Sequence, residues 1–208
     1  MRRALVICLL LTMSASASAQ GKAFKFEITP FSGYRFGGHF EEKDGSGEFE
    51  LSESDAQGIT LNILANPNGQ WELLYAHQGT ELATQELFAS DSLIDLDVEY
   101  LQFGGTYLFD GNGVRPFIAL TLGVSQFDPQ LPEYDSETFF SASFAGGLHL
   151  SANNRIGVRL EGRVYTTFVT SDSNIFCSSV GGAGTCLIQI DGTTVNQWEV
   201  RAGLVFRF

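Results

Sequence analysis

Apolar and polar residues alternate with a period of two along most of this chain, most clearly in its last stretch, Val195 to Phe208. Strict alternation places successive side chains on opposite faces of an extended strand. The stretch is therefore predicted to be a β-strand with one apolar face and one charged face. The apolar face comprises Trp198, Val200, Ala202, Leu204, Phe206 and Phe208, and the other comprises Gln197, Glu199, Arg201 and Arg207.

The same alternation predicts seven earlier strands. They cover residues 24–36, 57–65, 71–78, 93–109, 115–126, 137–150 and 155–170. Short turn-forming stretches rich in Asn, Gly, Asp and Ser occur at 66–69, 110–113 and 151–154. Longer polar connections occur at 37–55, 79–92, 127–136 and 171–194. Eight strands with alternately short and long connections indicate an antiparallel up-and-down barrel.

Two local details are predicted as well. Residues 80–88 lack a clear strand pattern, so a helical turn is an alternative for this segment. In the fourth strand the apolar residues change phase near Tyr100 and Leu101. One inserted residue shifts every later side chain to the other face, so we predict a β-bulge at this point.

The first 19 residues have the features of a secretory signal peptide. A basic start at Arg2 and Arg3 precedes a short apolar run, and Ala17-Ser18-Ala19 has the form of a cleavage site. We expect a mature domain over residues 20–208, with Cys8 removed. The two remaining cysteines, Cys177 and Cys186, are predicted to form a disulfide in an exported chain, with a free thiol pair as the alternative.

The composition of the two faces distinguishes a membrane barrel from a soluble lipocalin-like barrel, the main alternative. The less apolar face mixes Gly, Ala and Ser with charges of both signs, which suits a narrow polar interior. These charges are Lys25, Glu27, Arg35, Glu72, Arg159, Glu161, Arg163, Glu199 and Arg201. We therefore predict an all-β fold: an eight-stranded antiparallel transmembrane up-and-down β-barrel with short periplasmic turns, longer extracellular loops and both termini in the periplasm.

Acidic residues concentrate in the long connections and the adjoining strand ends, which contain 19 of the 24 acidic residues and only one basic residue, Lys43. The formal charge of −12 argues against a nucleic acid partner, which needs a basic surface. The acidic loops are candidates for binding divalent cations, with Asp95, Asp97 and Glu99 the sharpest set. They lack the spacing of a calcium loop, and a solvated surface without ligand is the preferred interpretation.

Three segments resemble the small outer-membrane β-barrel proteins of the OmpX and OmpW kind, also called porin-family proteins. They are FEITPFSGYRFGG from Phe26, YLQFGGTYLF from Tyr100 and GLVFRF at the end. With the signal peptide, the resemblance covers essentially all of residues 20–208. It implies a Gram-negative outer membrane, contact with its lipid and lipopolysaccharide, and insertion by the assembly machinery that recognises a terminal aromatic strand. Phe206 and Phe208 match that signal.

One triplet has a catalytic alternative. His149 and Ser151 lie two residues apart, with Glu161 on the next strand, an arrangement similar to the His-x-Ser plus Glu of the lipid A 3-O-deacylase family. The rest of that family's motif is not evident, and a structural role is preferred, so no catalytic, cofactor-binding or metal residue is assigned. We expect a monomeric, non-enzymatic barrel without cofactor, acting in envelope structure, adhesion or surface interaction. A narrow channel for small solutes is the alternative, and lipid A modification comes third.

Overall fold

A computed structural model describes residues 26–41, 48–84, 93–130, 136–152, 154–169, 174–178, 185–189 and 194–208, and these residues form strands and turns without a helix. Hence no helix in this part of the chain is long and apolar enough to cross a membrane. The strands are β1 (Phe26–Gly37), β2 (His39–Glu41), β3 (Glu48–Leu51), β4 (Ser54–Leu64), β5 (Gly69–Thr84), β6 (Leu93–Leu108), β7 (Val114–Pro129), β8 (Glu137–Ser151), β9 (Ile156–Phe168), β10 (Asn174–Ser178), β11 (Thr185–Gln189) and β12 (Thr194–Arg207).

Eight of these strands close into an antiparallel barrel, as the alternation predicted. Around the wall the order is β1, β4, β5, β6, β7, β8, β9 and β12, and β12 pairs back onto β1. Hydrogen bonds between the backbones of Phe26 and Phe208 fasten the ends of the closing pair, at 3.0 and 3.3 Å. Every wall strand therefore has two neighbours, and the barrel has no open edge.

Short and long connections alternate, which gives the barrel two different ends. At the turn end, four or five residues join β4 to β5, β6 to β7 and β8 to β9. The first of these turns is closed by the Asn66 carboxamide oxygen, which accepts hydrogen bonds from the backbones of Asn68 and Gly69 at 3.1 and 2.7 Å. Gly113 in the second turn has a φ of 77°, a left-handed conformation that glycine adopts without strain.

At the loop end, strand pairing continues into the long connections. Strands β2 and β3 pair with each other, and β3 pairs with β5, so this hairpin extends the wall beyond the ends of β1 and β4. Strands β10 and β11 form a separate two-stranded sheet in which Cys177 is the register partner of Cys186. The stretch 37–55, predicted to be a loop or a frayed strand end, is therefore partly strand.

The predicted alternative of a helical turn over residues 80–88 is wrong for the part that the structure describes. Strand β5 continues to Thr84, with Thr80 opposite Leu96 and Glu81 opposite Asp95. Residues 85–88 lie outside the described segments. Glu81 is exposed on the outer side of β5, where a charge is compatible with sheet pairing.

The predicted β-bulge near Tyr100 and Leu101 is also wrong. Pairing runs unbroken through both residues, to Ala76 and Tyr75 on one side and to Ser125 and Val124 on the other. The apolar residues change face without an insertion. Leu96, Val98 and Tyr100 point into the barrel, whereas Leu101, Phe103 and Tyr107 point outward.

Elsewhere the two predicted faces are confirmed. An outward apolar belt surrounds the wall and includes large side chains that are half exposed, among them Leu120 (59%), Trp198 (55%) and Val200 (55%). The opposite faces of the same strands are buried and mostly polar or small. The buried charged residues of the lumen are Glu27, Arg35, Glu72, Arg159, Glu161, Arg163, Glu199 and Arg201. Lys25 lies outside the described residues.

Candidate functional site

The barrel lumen contains three layers of different chemistry. An apolar and aromatic layer lies at the loop end, a charged layer fills the middle, and a cavity opens at the turn end. We define these as the apolar layer, the charged network and the vestibule. Every second side chain of a wall strand points inward, so each strand can contribute side chains to successive layers.

Glu72 on β5 anchors one half of the charged network. Its two carboxylate oxygens accept hydrogen bonds from Arg163 at 2.6 Å and from Arg159 at 2.9 Å. Thr106 on the neighbouring strand donates a further hydrogen bond to the same carboxylate. Glu72 and Arg163 are almost completely inaccessible to solvent, so the carboxylate is stabilised by these partners rather than by water.

Glu161 on β9 connects the half of the charged network around Glu72 to the half around Glu199. It lies 2.8 Å from Arg159, 2.6 Å from Arg163 and 2.5 Å from Arg201. Arg201 continues to Glu199 at 3.4 Å. Glu199 is bound in turn by Arg35, with nitrogen–oxygen distances of 2.6 and 2.9 Å. Glu199 and Arg201 of β12 therefore meet inward charges of both neighbouring strands, β1 and β9.

The network contains four arginines but three glutamates, and aromatic rings face the arginines. Cation–π contacts stabilise a positive charge whose surroundings exclude water. The guanidinium carbon of Arg35 lies 5.0 and 4.7 Å from the ring centres of Tyr100 and Tyr165. Arg201 lies 4.0 Å from Phe31, and Arg159 lies 4.2 Å from Phe117.

Neutral polar side chains fill the space between the charges. Gln102 accepts hydrogen bonds from Thr121 and Ser143, at 2.8 and 2.7 Å. Arg163 donates to the same two hydroxyls at 3.0 and 2.7 Å. The middle of the lumen is thus a packed, hydrogen-bonded interior in which most polar groups have protein partners.

The apolar layer closes the lumen toward the loop end. Tyr100 and Tyr165 stack with ring centres 4.3 Å apart, and the Tyr100 hydroxyl donates to Gln197 at 2.8 Å. Small and large apolar side chains pack around this pair. They are Leu51, Leu74, Ala76, Leu96, Val98, Phe127, Val169 and Val195.

The vestibule is a cavity of about 1140 Å³ lined by strand ends and turns. Arg207 organises its inner wall: Nε donates to Glu27 at 2.6 Å, and Nη2 lies 2.6 Å from His149 Nε2 and 3.1 Å from Ser151 Oγ. An arginine has only donors, so His149 Nε2 is the acceptor.

The structure does not bring His149, Ser151 and Glu161 together as a catalytic triplet would require. His149 and Ser151 are brought together by Arg207, but the Glu161 carboxylate is bound by three arginines of the charged network. The His149 ring is hydrogen-bonded to Arg207. A base must be oriented by its partner before a role is assigned to it, and here that partner is engaged elsewhere.

The acidic candidates for cation binding lie on the outer face of the loop end. Asp97 accepts a hydrogen bond from Gln130 at 2.7 Å and lies 3.4 Å from His77. Glu99 accepts one from Tyr75 at 3.1 Å. Across the described segments, no group of three His, Cys, Asp or Glu side chains converges as a metal site would require.

Sequence reasoning found the charges of the lumen but missed its neutral members. Tyr100 and Tyr165 were assigned to no site, although both hold Arg35 in place. Gln102 alternates with Leu101 and Phe103 of the outer face, so its inward position follows from the same alternation. An uncharged amide side chain does not by itself indicate that it takes part in the network.

Comparison with known proteins gives a consistent picture. The sequence model described as "Outer membrane protein beta-barrel domain" matches residues 5–208. No match to a curated protein was found.

Among solved structures, the Neisserial surface protein A is similar over 88% of this chain and 97% of its own, with 11% identity and a TM-score of 0.59. Outer membrane protein AlkL in lipid bilayers is similar over 93% and 95%, with 14% identity and a TM-score of 0.53. The outer membrane protease OmpT from Escherichia coli is similar over 93% of this chain and 99% of its own, with 10% identity and a TM-score of 0.45. The first two similarities support the barrel fold and, at this identity, nothing beyond it.

Proposed function

Because the chain belongs to the outer membrane protein beta-barrel domain family, we propose that it is a non-enzymatic barrel of the Gram-negative outer membrane. In this proposal the closed wall anchors acidic loops at the cell surface, where they serve envelope structure, adhesion or surface interaction. The barrel acts as a monomer, in contact with outer-membrane lipid and lipopolysaccharide.

The observation that supports this proposal best is the filled lumen. Several large interior side chains of the middle and loop-end layers have less than 2% of their surface exposed. They are Arg35, Gln78, Tyr100, Gln102, Arg163, Tyr165 and Gln197. An eight-stranded barrel has an interior that side chains can fill, and here they form a continuous bonded core.

Conductance in planar bilayers tests this function. Purified barrel should give no steady ion current, because moving an ion through the network would separate several buried ion pairs. A variant with Glu161→Gln and Arg163→Gln, checked for folding, should begin to conduct if the network is the barrier. Steady open currents from the unaltered protein would contradict the proposal.

A narrow channel for small solutes is the second candidate. It is favoured by the vestibule, since a cavity of about 1140 Å³ already opens part of the lumen to solvent at the turn end. The same bilayer experiment decides between the two, because a channel requires current in the unaltered protein.

We place the loop end outside the cell, with both termini in the periplasm. The acidic surface supports this orientation because it would face the cation-rich lipopolysaccharide layer; Glu81 lies opposite Asp95, and Asp97 lies opposite Asp128. Like charges directly opposite each other repel, so such a surface favours cations, divalent ones included, and disfavours nucleic acid.

Cysteine labelling on whole cells tests the orientation. In a Cys177→Ser, Cys186→Ser background, Gln130→Cys at the loop end should react with a membrane-impermeant maleimide. Asn112→Cys, on the opposite short turn, is the matched control and should react only after the outer membrane is permeabilised. The reverse pattern would invert the orientation.

The terminal strand also supports insertion by the outer-membrane assembly machinery. Phe208 is 65% exposed and stacks on Phe26 at 5.0 Å, so its ring is available at the end of the closing strand. Phe208→Ala should lower the folded amount in cells severalfold, whereas refolding of the purified variant in detergent should be unaffected. Equal losses in both would indicate a stability effect instead of a recognition signal.

A further inference from the structure

A groove opens on the outer face of the belt, toward the turn end of the barrel. Its floor is Gly105 on β6, whose register partners are Trp71 on β5 and Leu120 on β7. A side chain at position 105 would therefore stand between these two large outward residues. Glycine leaves the place open, since the nearest atom to an added Cβ would be the Gln70 carbonyl oxygen, at 3.4 Å. We call this feature the outer groove.

The outer groove has the size of a ligand site and mostly apolar walls. Its volume is about 370 Å³, and small-molecule sites in proteins occupy about 300–1,000 Å³. Asn66, in the turn between β4 and β5, is an exposed polar residue at its margin. The large side chains that border the groove are between 44% and 59% exposed. They are Trp71, Tyr107, Ile118, Leu120 and Phe144.

Two aromatic walls of the groove are held by rings outside its lining. Trp71 stacks on Phe103 with ring centres 5.7 Å apart and an angle of 11° between the planes. Tyr107 makes an edge contact with Phe109 at 5.2 Å. A ligand that enters the groove does not have to order these rings first, so less of its binding energy is lost to side-chain entropy.

The surroundings of the groove indicate what fills it. The chain belongs to a family of outer-membrane barrels, and the groove is continuous with the apolar belt that faces the lipid. Water finds few polar partners on such walls, and an empty groove would forfeit dispersion contacts of the side chains around it. A flexible hydrocarbon chain supplies these contacts. A concave site touches such a chain on several sides, whereas the convex wall elsewhere touches it on one side.

We propose that the outer groove binds one acyl chain of a phospholipid from the periplasmic leaflet, with the lipid headgroup beside Asn66 at the turn end. Trp71 and Tyr107 suit this position, because tryptophan and tyrosine are enriched where the hydrocarbon of a bilayer meets its polar region. The choice of leaflet rests on the orientation proposed for the barrel, whereas the groove itself does not.

Quenching of tryptophan fluorescence by a brominated lipid tests the proposal, because the chain has two tryptophans. Trp71 lines the groove and Trp198 does not, yet both are 55% exposed on the outer wall. Trp198→Phe leaves Trp71 as the reporter, and Trp71→Phe leaves Trp198 as its matched control. The full-length mature barrel in a non-ionic detergent is titrated with phosphatidylethanolamine brominated on its acyl chains. We expect saturable quenching of Trp71 at one lipid per barrel, and quenching of Trp198 only at about tenfold higher lipid concentration or above.

A variant that fills the groove provides the second test. Gly105→Leu should abolish the saturable quenching of Trp71; Gly105 has no left-handed backbone, and the added Cβ makes an ordinary contact. The matched control, Gly162→Leu, adds the same side chain to the outer face of β9, where an added Cβ would meet no described atom within 4 Å. Native mass spectrometry should show one retained phospholipid on the unaltered barrel and on the control, and none on Gly105→Leu.

Folding of each variant is checked by heat-modifiable migration in gels. Equal quenching of the two reporters would overturn the proposal even where Gly105→Leu fails to fold, since that comparison leaves the floor of the groove unaltered. Saturable quenching that persists in folded Gly105→Leu would also overturn it. So would tighter binding of lipid A with brominated acyl chains than of the phospholipid, since the occupant would then come from the other leaflet. Bilayer conductance and whole-cell labelling test the proposed function separately, so a failure of the groove is distinguishable from a failure of that function.

Discussion

The outer apolar belt and the loop end of this barrel are formed by the same strands, but their inner and outer faces have opposite polarity. In the belt, Leu101 and Phe103 of β6 point outward and Gln102 points inward. A few residues earlier on β6, Val98 is fully buried inside and Asp97 faces outward. Strand pairing is continuous through both regions.

The reversal follows from the medium around each region. A transmembrane β-strand needs about 9–11 residues to cross the bilayer, whereas β5, β6 and β7 each have 16 residues. The excess projects at the loop end, where water replaces lipid around the wall. Outside lipid, the hydrophobic effect favours apolar residues within the barrel and charge on its surface, as in any soluble protein. The apparent phase error of β6 therefore marks the level at which the wall leaves the membrane.

The largest expected effect comes from breaking the charged network in the belt. Glu161→Gln leaves Arg159, Arg163 and Arg201 without their shared carboxylate, and loss of one buried partner typically costs about 3–5 kcal/mol. We expect a loss of this size in the free energy of unfolding, measured by urea titration in lipid vesicles with tryptophan fluorescence. Glu99→Gln, the same change on the outer face of the loop end, should cost less than about 0.5 kcal/mol. Similar losses in both variants would remove the distinction between the regions.

A smaller effect is expected from placing one arginine at two heights on β7. Leu120→Arg puts the charge on the outer belt, where it should destabilise the barrel by about 2–4 kcal/mol near the bilayer centre. Gln126→Arg lies on the same strand toward the loop end and should be nearly neutral. A series at positions 120, 122, 124 and 126, measured in the same unfolding assay, locates the membrane boundary. Equal losses of unfolding free energy at all four positions would contradict a membrane boundary within this part of β7.

Truncating one valine inside the loop end and one outside the belt compares the two apolar surfaces. Val98 is fully buried in the apolar layer, so Val98→Ala should cost about 2 kcal/mol. Val200 is 55% exposed on the outer wall, where lipid fills the space of the lost methyl groups, and Val200→Ala should cost less than about 1 kcal/mol. A larger loss at position 200 would mean that the belt is packed against protein.

The smallest effect on the barrel is expected from the cysteines. Their disulfide remains a prediction, supported by the register of Cys177 with Cys186. Because β10 and β11 pair only with each other among the described strands, Cys177→Ser with Cys186→Ser should change barrel unfolding by less than about 0.5 kcal/mol. Thiol counting by mass spectrometry before and after reduction tests the bond itself, and two free thiols in the exported protein would rule it out.

Much of the architecture could be predicted from the sequence because strand alternation is a local property. Trp198, Val200 and Leu204 on one face, against Glu199 and Arg201 on the other, sufficed to orient β12. The same logic failed at Tyr100, where a real change of face was attributed to an inserted residue. Alternation alone does not reveal whether lipid or water surrounds a strand. A change of surroundings and an inserted residue therefore produce the same switch of apolar residues from one face to the other.

The eight wall strands, their antiparallel order and the polarity of most of their faces follow from the sequence alone, since these depend on residue spacing and short turns. Which charges meet depends on the folded barrel, because Arg35 and Glu199 are 164 residues apart and become partners when β12 closes onto β1. The folded barrel likewise places Glu161 in the charged network, away from His149, and brings three arginines from three parts of the chain to one vestibule. Closure of the wall is the physical reason, since it converts faces that are separate along the chain into one shared interior.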